Sequence, residues 1–359
     1  MKINLLGNII GATGYALHTR QLANALFNEG LTIRLEAQIP QEFVKELNDN
    51  ELKMIKEPYT EDMIDICISL PPAYPLLKRG KKFIGFVVWE SNKIPNYWIK
   101  YLKDCDLIFV PSEHTKNAIL NTAQEFNDKI KVIPHGVNVS LFMPLKIKRN
   151  LNFTLIMNKG WSKGWNDRGG VQFAIKAFNE EFSKEENVNM LTKINPSYLY
   201  PGWNLQQELQ KLNLRPEGRE IGISAEYVPF EYLPTIYSQG DCFVCPTMGE
   251  GWGLQIGEAM ACELPAIVTN WGGQTDFVKD NINGRYIDSE LIDIQNDIIY
   301  EGQKWAQPNI RHLRGLMRWA FNNQDLIKQM GKQAREDIVN NWTWSHSAQK
   351  VKQALEELK

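Results

Sequence analysis

The sequence lacks any apolar run long enough to cross a membrane and has no marked excess of either charge. Its longest apolar stretches, 83–89 and 107–110, are only strand-sized, whereas a membrane-spanning helix needs roughly 20 apolar residues. The net charge of −2 gives no support for nucleic acid as a partner, because phosphate binding usually requires an excess of Lys and Arg. Residues 1–10 are too short an apolar segment for a signal peptide and lack a cleavage site. We therefore expect a cytoplasmic protein, and peripheral contact with the inner face of the membrane stays open.

Cysteine is scarce, with five residues scattered along the chain. The odd number and the irregular spacing argue against a disulfide framework. Cys242 and Cys245 form a C-x-x-C pair, but they lie in a stretch that is typical of a buried strand. Residues three apart on a strand point to opposite faces, which is poor geometry for joint metal ligation. We expect no metal site.

The length of 359 residues fits two domains of about 150–200 residues. Strand-like and helix-like stretches alternate in both halves of the chain, which predicts parallel sheets covered by helices on both faces. Pro, Gly and a polar run at 134–150 separate the two series and predict an interdomain linker. The predicted fold is α/β, with two doubly wound, Rossmann-like domains. Such sheets bind ligands outside the carboxyl ends of their strands, and two of these edges facing each other would form a cleft.

The predicted strands and helices have the following ranges. The predicted strands are 2–6, 32–36, 64–69, 82–88, 107–110, 131–133, 152–157, 189–194, 220–225, 242–245 and 266–269. The predicted helices are 15–28, 41–53, 97–103, 112–126, 170–182, 204–212, 232–239, 257–262, 311–323, 326–341 and 345–359.

The most informative segment is Pro246–Ala261, with the sequence PTMGEGWGLQIGEAMA. It leaves a predicted strand, crosses a glycine-rich loop and enters a helix. Glycines let the backbone approach a ligand closely, and the N–H groups at a helix start favour an anionic phosphate. Glu250 at the strand end can reach the reactive part of a ligand, and Glu258 can accept hydrogen bonds from a ribose diol. A lone pair of this kind is usually a solvated loop acid and a helix acid favoured by the dipole. Its position at such a junction in the second of two matching domains favours a nucleotide site.

This segment resembles the E-x7-E block of the family 4 retaining glycosyltransferases, which have the GT-B fold. The similarity continues through the stretch ACELPAIVT that follows Met260. It also extends to a linker signature, to the first helix of the donor domain and to the start of the last helix, which are found here at 133–138 with Phe142 and Pro144, at 170–178 and at 342–345. The resemblance therefore covers nearly the whole chain.

The resemblance implies an N-terminal, acceptor-side domain at 1–145 and a donor domain at 146–340. A C-terminal helix at 341–359 would cross back onto the first domain. It also implies a retaining, metal-independent hexosyltransferase of glycan biosynthesis that requires no cofactor. The donor would be a UDP- or GDP-sugar, and the acceptor hydroxyl would belong to a glycan, a lipid-linked molecule or a small molecule.

The resemblance also assigns roles to residues of the glycine-rich segment. Glu258 would contact the donor ribose and Glu250 the transferred sugar. The amides around Gly253, Leu254 and Gln255 would help to hold the phosphates. Cationic side chains and amides would stabilise the diphosphate leaving group in place of a metal ion.

The sequence departs from the family in its basic residues. The family usually has an Arg, and a few residues later a Lys, before the first helix of the donor domain. These two positions hold Lys163 and Gly169 here, and Arg168 lies next to the glycine. We expect Lys163 and Arg168 to bind the diphosphate, with Lys159 in reserve. The alternative is a solvated basic loop.

A second departure lies at the end of the predicted strand 82–88, where many relatives have a His or an Asp close to the reacting sugar. Trp89 and Glu90 stand there in this sequence. Glu90 could orient a hydroxyl or support proton transfer, and Trp89 could stack against a sugar face. His114 and His135 are other candidate bases, but their positions in a first helical turn and in the linker favour structural or acceptor-side roles.

Three glycine- or aromatic-rich loops remain. Gly11 and Gly14 follow the first strand, and a G-x-x-G there fits a tight turn or a dinucleotide fold, with Glu36 near the position of a ribose-binding acid; the resemblance favours contact with the donor diphosphate. Gly272 and Gly273 could place amides over the donor sugar. The Tyr- and Pro-rich segment 196–203 receives no role.

Two other functions stay open. One is a nucleotide-sugar epimerase or hydrolase on the same fold, which would turn over the donor without an acceptor. The other is a catalytically silent nucleotide-sugar-binding protein, suggested by Gly169 and by the missing His. The sequence does not determine the donor base, the sugar, the acceptor or the oligomeric state, since no base-reading side chain is recognisable.

Overall fold

The structure, a computed structural model, describes residues 1–11, 13–36, 41–77, 80–149, 151–295 and 297–358, without the side chains of 41, 42 and 45. The chain forms two compact units. Unit 1 comprises Met1–Gly136, Ile294–Lys304 and Trp342–Lys359, and unit 2 comprises Val137–Asp293 and Trp305–Asn341. The domain ranges 1–145, 146–340 and 341–359 stay a prediction. The units divide the chain after Gly136 and assign 294–304 to unit 1.

The elements are numbered in chain order. The strands are β1 (Lys2–Gly7), β2 (Thr32–Glu36), β3 (Ile64–Ile68), β4 (Lys82–Phe86), β5 (Leu107–Val110), β6 (Ile130–Val132), β7 (Phe153–Lys159), β8 (Val188–Ile194), β9 (Gly222–Ser224), β10 (Cys242–Cys245), β11 (Ala266–Thr269), β12 (Gly284–Ile287), β13 (Ser289–Asp293) and β14 (Lys304–Pro308). The helices are α1 (Gly14–Asn28), α2 (Asp49–Lys56), α3 (Tyr74–Leu77), α4 (Ile99–Leu102), α5 (Glu113–Leu120), α6 (Val171–Glu181), α7 (Leu205–Lys211), α8 (Leu233–Tyr237), α9 (Leu254–Ala261), α10 (Ile310–Asn322), α11 (Gln324–Asn341) and α12 (Trp344–Glu357). No helix among the described residues is both long and apolar enough to cross a bilayer.

Unit 1 is built on a parallel sheet with the strand order β2-β1-β3-β4-β5-β6. Its central strands are buried on both faces, as expected for a parallel sheet between two helical layers; all four residues of β5 are buried, for example. The helix that follows β1 begins where the Thr13 side chain accepts a hydrogen bond from the amide of Ala16. The C-terminal helix α12 packs against α1, and Ser347 Oγ donates to the Pro134 carbonyl at 2.6 Å. The predicted return of the last helix onto the first domain is thus confirmed.

Unit 2 contains a second parallel sheet, with the order β12-β11-β10-β7-β8-β9. This is the strand order of a doubly wound nucleotide-binding sheet. Successive strands are added toward one edge of the sheet in the first half and toward the other edge in the second half, so the strand order reverses between two central strands. Here the reversal point lies between β7 and β10, which pair directly. Every residue of both strands is buried. The predicted α/β class with two doubly wound domains is confirmed.

Several element boundaries differ from the prediction for local reasons. The segment predicted as one helix at 41–53 forms a 3-10 helix at Gln41–Glu46 and the separate helix α2. α2 begins after Asn48 because Asn48 and Glu51 form a capping box, in which each side chain accepts a hydrogen bond from the other residue's amide. The helix predicted at 257–262 begins earlier, at Leu254, since Gly253 adopts a φ of 103° that admits a helix start there. The pattern-based prediction missed β12, β13 and β14.

Candidate active site

The candidate site of unit 2 lies at the carboxyl edge of its sheet. β7 ends with Lys159, and β10 is followed by the loop 246–253, which leads into α9. Because β7 and β10 flank the reversal point, their ends border the crevice in which doubly wound sheets bind ligands. The sequence motif is thereby placed where the topology favours a ligand.

An ion pair between Lys159 Nζ and Glu250 Oε2 occupies this edge, with only 11% and 14% of the two side chains exposed. Burial alone would lower the pKa of Lys159 and raise the pKa of Glu250. The attraction between the charges, reinforced at Glu250 by Arg168, outweighs burial, so the pKa of Lys159 lies above and that of Glu250 below its ordinary value. Both groups are therefore ionised at neutral pH.

Arg168 connects the loop after β7 to the loop that carries Glu250. Its Nη1 donates to the Gly249 carbonyl at 2.7 Å, and its own carbonyl accepts from the Met248 amide at 2.8 Å. Gly170, two residues later, has a φ of 80°, and a Cβ there would lie 2.1 Å from the Pro246 carbonyl oxygen. Only glycine allows the two loops to approach this closely.

Asp167 shapes the loop that presents these basic residues. Its Oδ2 accepts from the amides of Ser162 at 2.7 Å and Lys163 at 2.9 Å, and its Oδ1 accepts from Gly169 at 2.8 Å. Lys163 lies on the exposed side of this loop, whereas Lys159 directly contacts Glu250. The sequence analysis preferred Lys163 to Lys159 as a phosphate ligand, whereas in the structure it is Lys159 that contacts Glu250. The predicted strand 152–157 ended two residues too early; a strand drawn to Lys159 would have placed that lysine at the sheet edge.

Glu258, in the middle of α9, has a different electrostatic environment. Its Oε2 accepts from the Tyr237 hydroxyl at 2.9 Å, which in turn accepts from Asn158 Nδ2 at 2.9 Å. Burial raises the pKa of Glu258 to about 8, although the Tyr237 hydrogen bond and Lys159 oppose this rise. Glu250 and Glu258 thus have opposite charge preferences at neutral pH. Neither Tyr237 nor Asn158 was predicted, because no local sequence pattern marks either residue as part of a site.

The start of α9 provides the amides that the sequence predicted. The N–H groups of Ile256 and Gly257 donate to the Gly253 carbonyl at 3.0 and 3.1 Å, so the amides of Leu254 and Gln255 precede the first intrahelical bonds. Such first-turn amides favour an anion. The prediction that the Gly273 amide faces the donor sugar is wrong, because this amide donates to the Glu250 carbonyl at 2.7 Å. It holds the Glu250 main chain and is not directed at a sugar.

In unit 1, Glu90 follows β4 and its Oε2 accepts from the Tyr300 hydroxyl at 2.9 Å. Trp89 is 3% exposed; its ring stacks on Tyr300 with centroids 4.6 Å apart, and its Nε1 donates to Gln303 at 3.0 Å. The prediction that Trp89 stacks against a sugar is therefore wrong, since its faces are covered by protein.

The other predicted residues of unit 1 lie in the loop before α1, at the start of α1 and in a buried aromatic cluster. Gly11 has a φ of 83°, Gly14 is the first residue of α1, and Ala12 between them lies outside the described residues. The buried ring of His135 lies 4.0 Å from that of His18 and stacks on Trp344. This packing favours the structural reading of His135. Whether Gly11 and Gly14 contact a diphosphate stays a prediction.

The two cysteines of the C-x-x-C pair are buried free thiols in β10. Burial raises the pKa of both, that of Cys245 to about 11. Across the described ranges, no three His, Cys, Asp or Glu side chains are grouped so that they could hold a metal ion.

Comparison with known proteins agrees with this geometry. The family model "Glycosyl transferases group 1" matches residues 170–301, which include Glu250 and Glu258. A glycosyltransferase structure from Rickettsia africae has a TM-score of 0.73 at 19% identity and covers 99% of this chain and 98% of its own. Anabaena HepE in complex with UDP and glucose has a TM-score of 0.70 at 13% identity, covering 99% and 100%. The fold is GT-B, as in these structures, and residues 170–301 are similar to the group 1 glycosyltransferases.

The curated relatives are longer than the region that this chain matches. The putative glycosyltransferase YtcC of Bacillus subtilis is 26% identical over 265 residues, which are 70% of this chain and 60% of that protein. The chain spans 51–60% of the length of the first curated relatives it matches.

Proposed function

We propose that the protein is a retaining glycosyltransferase that moves a hexose from a UDP- or GDP-sugar to the hydroxyl of a glycan, a lipid-linked molecule or a small molecule. The observation that carries this proposal is the buried Lys159–Glu250 ion pair at the reversal point of the second sheet. The match of residues 170–301 to the group 1 glycosyltransferase model and the UDP and glucose bound by Anabaena HepE support a nucleotide sugar as the donor.

The chemistry would proceed with charges that are already in place. Arg168, Lys159 and the first-turn amides of α9 would hold the donor diphosphate. As the bond from the sugar C1 to the phosphate oxygen breaks, these fixed groups stabilise the charge on the departing diphosphate. The acceptor oxygen bonds to C1 on the same face, and its proton passes to the departing phosphate oxygen. Glu250 would orient Lys159 and contact hydroxyls of the transferred sugar.

A thermal-shift panel tests donor binding. A nucleoside diphosphate at about 100 times its dissociation constant adds about 2.7 kcal/mol to the free energy of unfolding, and this should raise the melting temperature of a domain of about 200 residues by about 5–10 °C. We expect a shift with UDP or GDP and a smaller one with ADP. A shift with NAD alone, or with none of the nucleotides, would contradict the proposal.

Turnover measurements separate transfer from the two other functions. Release of nucleoside diphosphate should depend on an added acceptor. Equal release with and without any acceptor would instead favour an epimerase or hydrolase. Tight binding of nucleotide sugar without turnover, across a panel of glycan and lipid-linked acceptors, would favour a silent binding protein.

The predicted role of Glu90 can be tested through its contact with Tyr300. Glu90→Gln should lower the rate of transfer by about 100-fold if its carboxylate orients a reacting hydroxyl or supports the transfer of its proton, and Tyr300→Phe should lower it less because the carboxylate remains. Nucleotide affinity should not change, because the nucleotide is assigned to unit 2. Tyr97→Phe, at an exposed tyrosine of unit 1, serves as the control. Unchanged transfer by Glu90→Gln would remove Glu90 from the site.

A further inference from the structure

Lys193 is a buried lysine to which the chemistry above gives no role. It lies near the end of β8 and is 7% exposed. In the part of the chain that the structure describes, its ammonium has one hydrogen bond, to the Ile194 carbonyl at 3.3 Å, and no carboxylate partner. Burial lowers its pKa. A buried ammonium with one hydrogen bond and no neighbouring carboxylate destabilises the folded protein. Such a group calls for a functional explanation.

The sheet register places Lys193 beside the Glu258 network. Lys193 pairs with Asn158 on β7 and with Ser224 on β9, and side chains at paired positions of a parallel sheet lie on the same face. Asn158 donates to Tyr237, which donates to Glu258. Lys193 is therefore the next polar position after Asn158, one strand or roughly 4.8 Å further from the reversal point.

An aromatic side chain borders the same edge. Tyr198, in the segment after β8, is 45% exposed. It packs so closely on Gly160 that a Cβ on that glycine would lie 3.0 Å from three atoms of Tyr198. Because Gly160 follows Lys159, the loops after β7 and β8 meet beneath a partly exposed phenol ring. Such a ring offers a flat surface on which a base can stack.

We propose that Lys193 donates a hydrogen bond to the exocyclic carbonyl oxygen of the donor base, which is O4 of uracil or O6 of guanine, while Tyr198 stacks on that base. This inference rests on the proposed function and names the determinant of donor-base selection. If Glu258 binds the ribose, the base extends along the row from Asn158 to Lys193. An ammonium only donates hydrogen bonds. It therefore pairs with a carbonyl oxygen and opposes the amino group that adenine and cytosine carry at the corresponding position.

The test compares calorimetric affinities for UDP, GDP, CDP and ADP at fixed pH and salt. The wild type should prefer UDP or GDP, and the preferred one identifies the base. Lys193→Met should weaken the preferred nucleotide by about 10- to 100-fold, as expected for loss of a hydrogen bond to a charged group, and leave CDP and ADP unchanged. Lys211→Met is the control, because that lysine is exposed and pairs with Glu208.

Two further measurements guard against a folding defect. The melting temperature of ligand-free Lys193→Met should be equal to or above that of the wild type, because an uncompensated ammonium has been removed. Lys193→Gln should shift the preference toward CDP and ADP, since its amide oxygen can accept from their amino groups. An equal loss for all four nucleotides, or an unchanged preference in both variants, would overturn the inference. A wild type that binds none of the four would overturn the proposed function as well.

Discussion

Glu250→Gln is expected to reduce the rate of sugar transfer by about 10²- to 10³-fold, the range for loss of one fixed electrostatic group at a reacting centre, while nucleoside diphosphate affinity stays nearly unchanged. The substitution preserves the shape of the side chain but removes the charge that holds Lys159. Loss of that charge also lowers the pKa of Lys159, because burial then acts without the compensating attraction of Glu250. Steady-state kinetics with calorimetry of the diphosphate would separate the two effects.

The control for this prediction is Glu336→Gln, which changes an exposed glutamate of α11 in the same unit. It should leave both quantities unchanged. Lys159→Met should instead weaken diphosphate binding, because it removes a cation assigned to the phosphates. A loss of affinity with unchanged kcat in Glu250→Gln would show that Glu250 acts in binding alone, and unchanged kinetics would remove it from the site.

The second large effect concerns the pH dependence of donor binding through Glu258. A ribose diol donates hydrogen bonds, so the ionised carboxylate should bind it best. With a pKa of about 8 for Glu258, only about a tenth of the molecules are ionised at pH 7. The affinity for a nucleotide sugar should therefore rise by about ten-fold between pH 7 and pH 9. A nucleotide sugar is the proper ligand, because its diphosphate has no proton that titrates in this range.

Glu258→Gln should abolish this dependence and bind with an affinity at or below that of the wild type at pH 7. Tyr237→Phe removes a hydrogen bond that favours the ionised carboxylate, so it should move the rise in affinity to higher pH. Lack of any difference in pH dependence between wild type and Glu258→Gln would exclude Glu258 from the nucleotide site.

The ionisation of Glu258 should also affect protein stability, which should fall with rising pH while nucleotide-sugar affinity rises. The folded-state pKa of Glu258 is raised from 4.5 to about 8, so this group's contribution is fully present below pH 4.5 and is lost as pH rises through 8. Between these values the unfolded chain releases the proton that the folded chain retains. The free energy of unfolding of the ligand-free protein should therefore fall by up to about 1.4 kcal/mol per pH unit through this group. Urea unfolding of wild type and Glu258→Gln at pH 6 and pH 8 would measure the difference.

The sequence by itself determined the elements whose signals are local. Alternating strand and helix patterns located the six strands of the first sheet and all strands of the second except β12. The glycine-rich segment before α9 located Glu250 and Glu258 at a strand–loop–helix junction, where helix-start amides and close backbone approach favour a phosphate. These features follow from periodicity, capping and glycine placement over a few residues, so they need no knowledge of the tertiary partners. The return of the last helix to unit 1 was instead implied by the family resemblance of the segment 342–345.

The partners of those residues were decided only by the tertiary structure. Lys159 and Glu250 are 91 residues apart, and they meet because the strand order makes β7 and β10 neighbours. Glu90 and Tyr300 are 210 residues apart, and their contact depends on the passage of 294–304 into unit 1. Whether Trp89 is exposed, and which amines are buried, depends on the same packing. No local pattern encodes strand order or register, and these set the pKa values and the geometry of the candidate site.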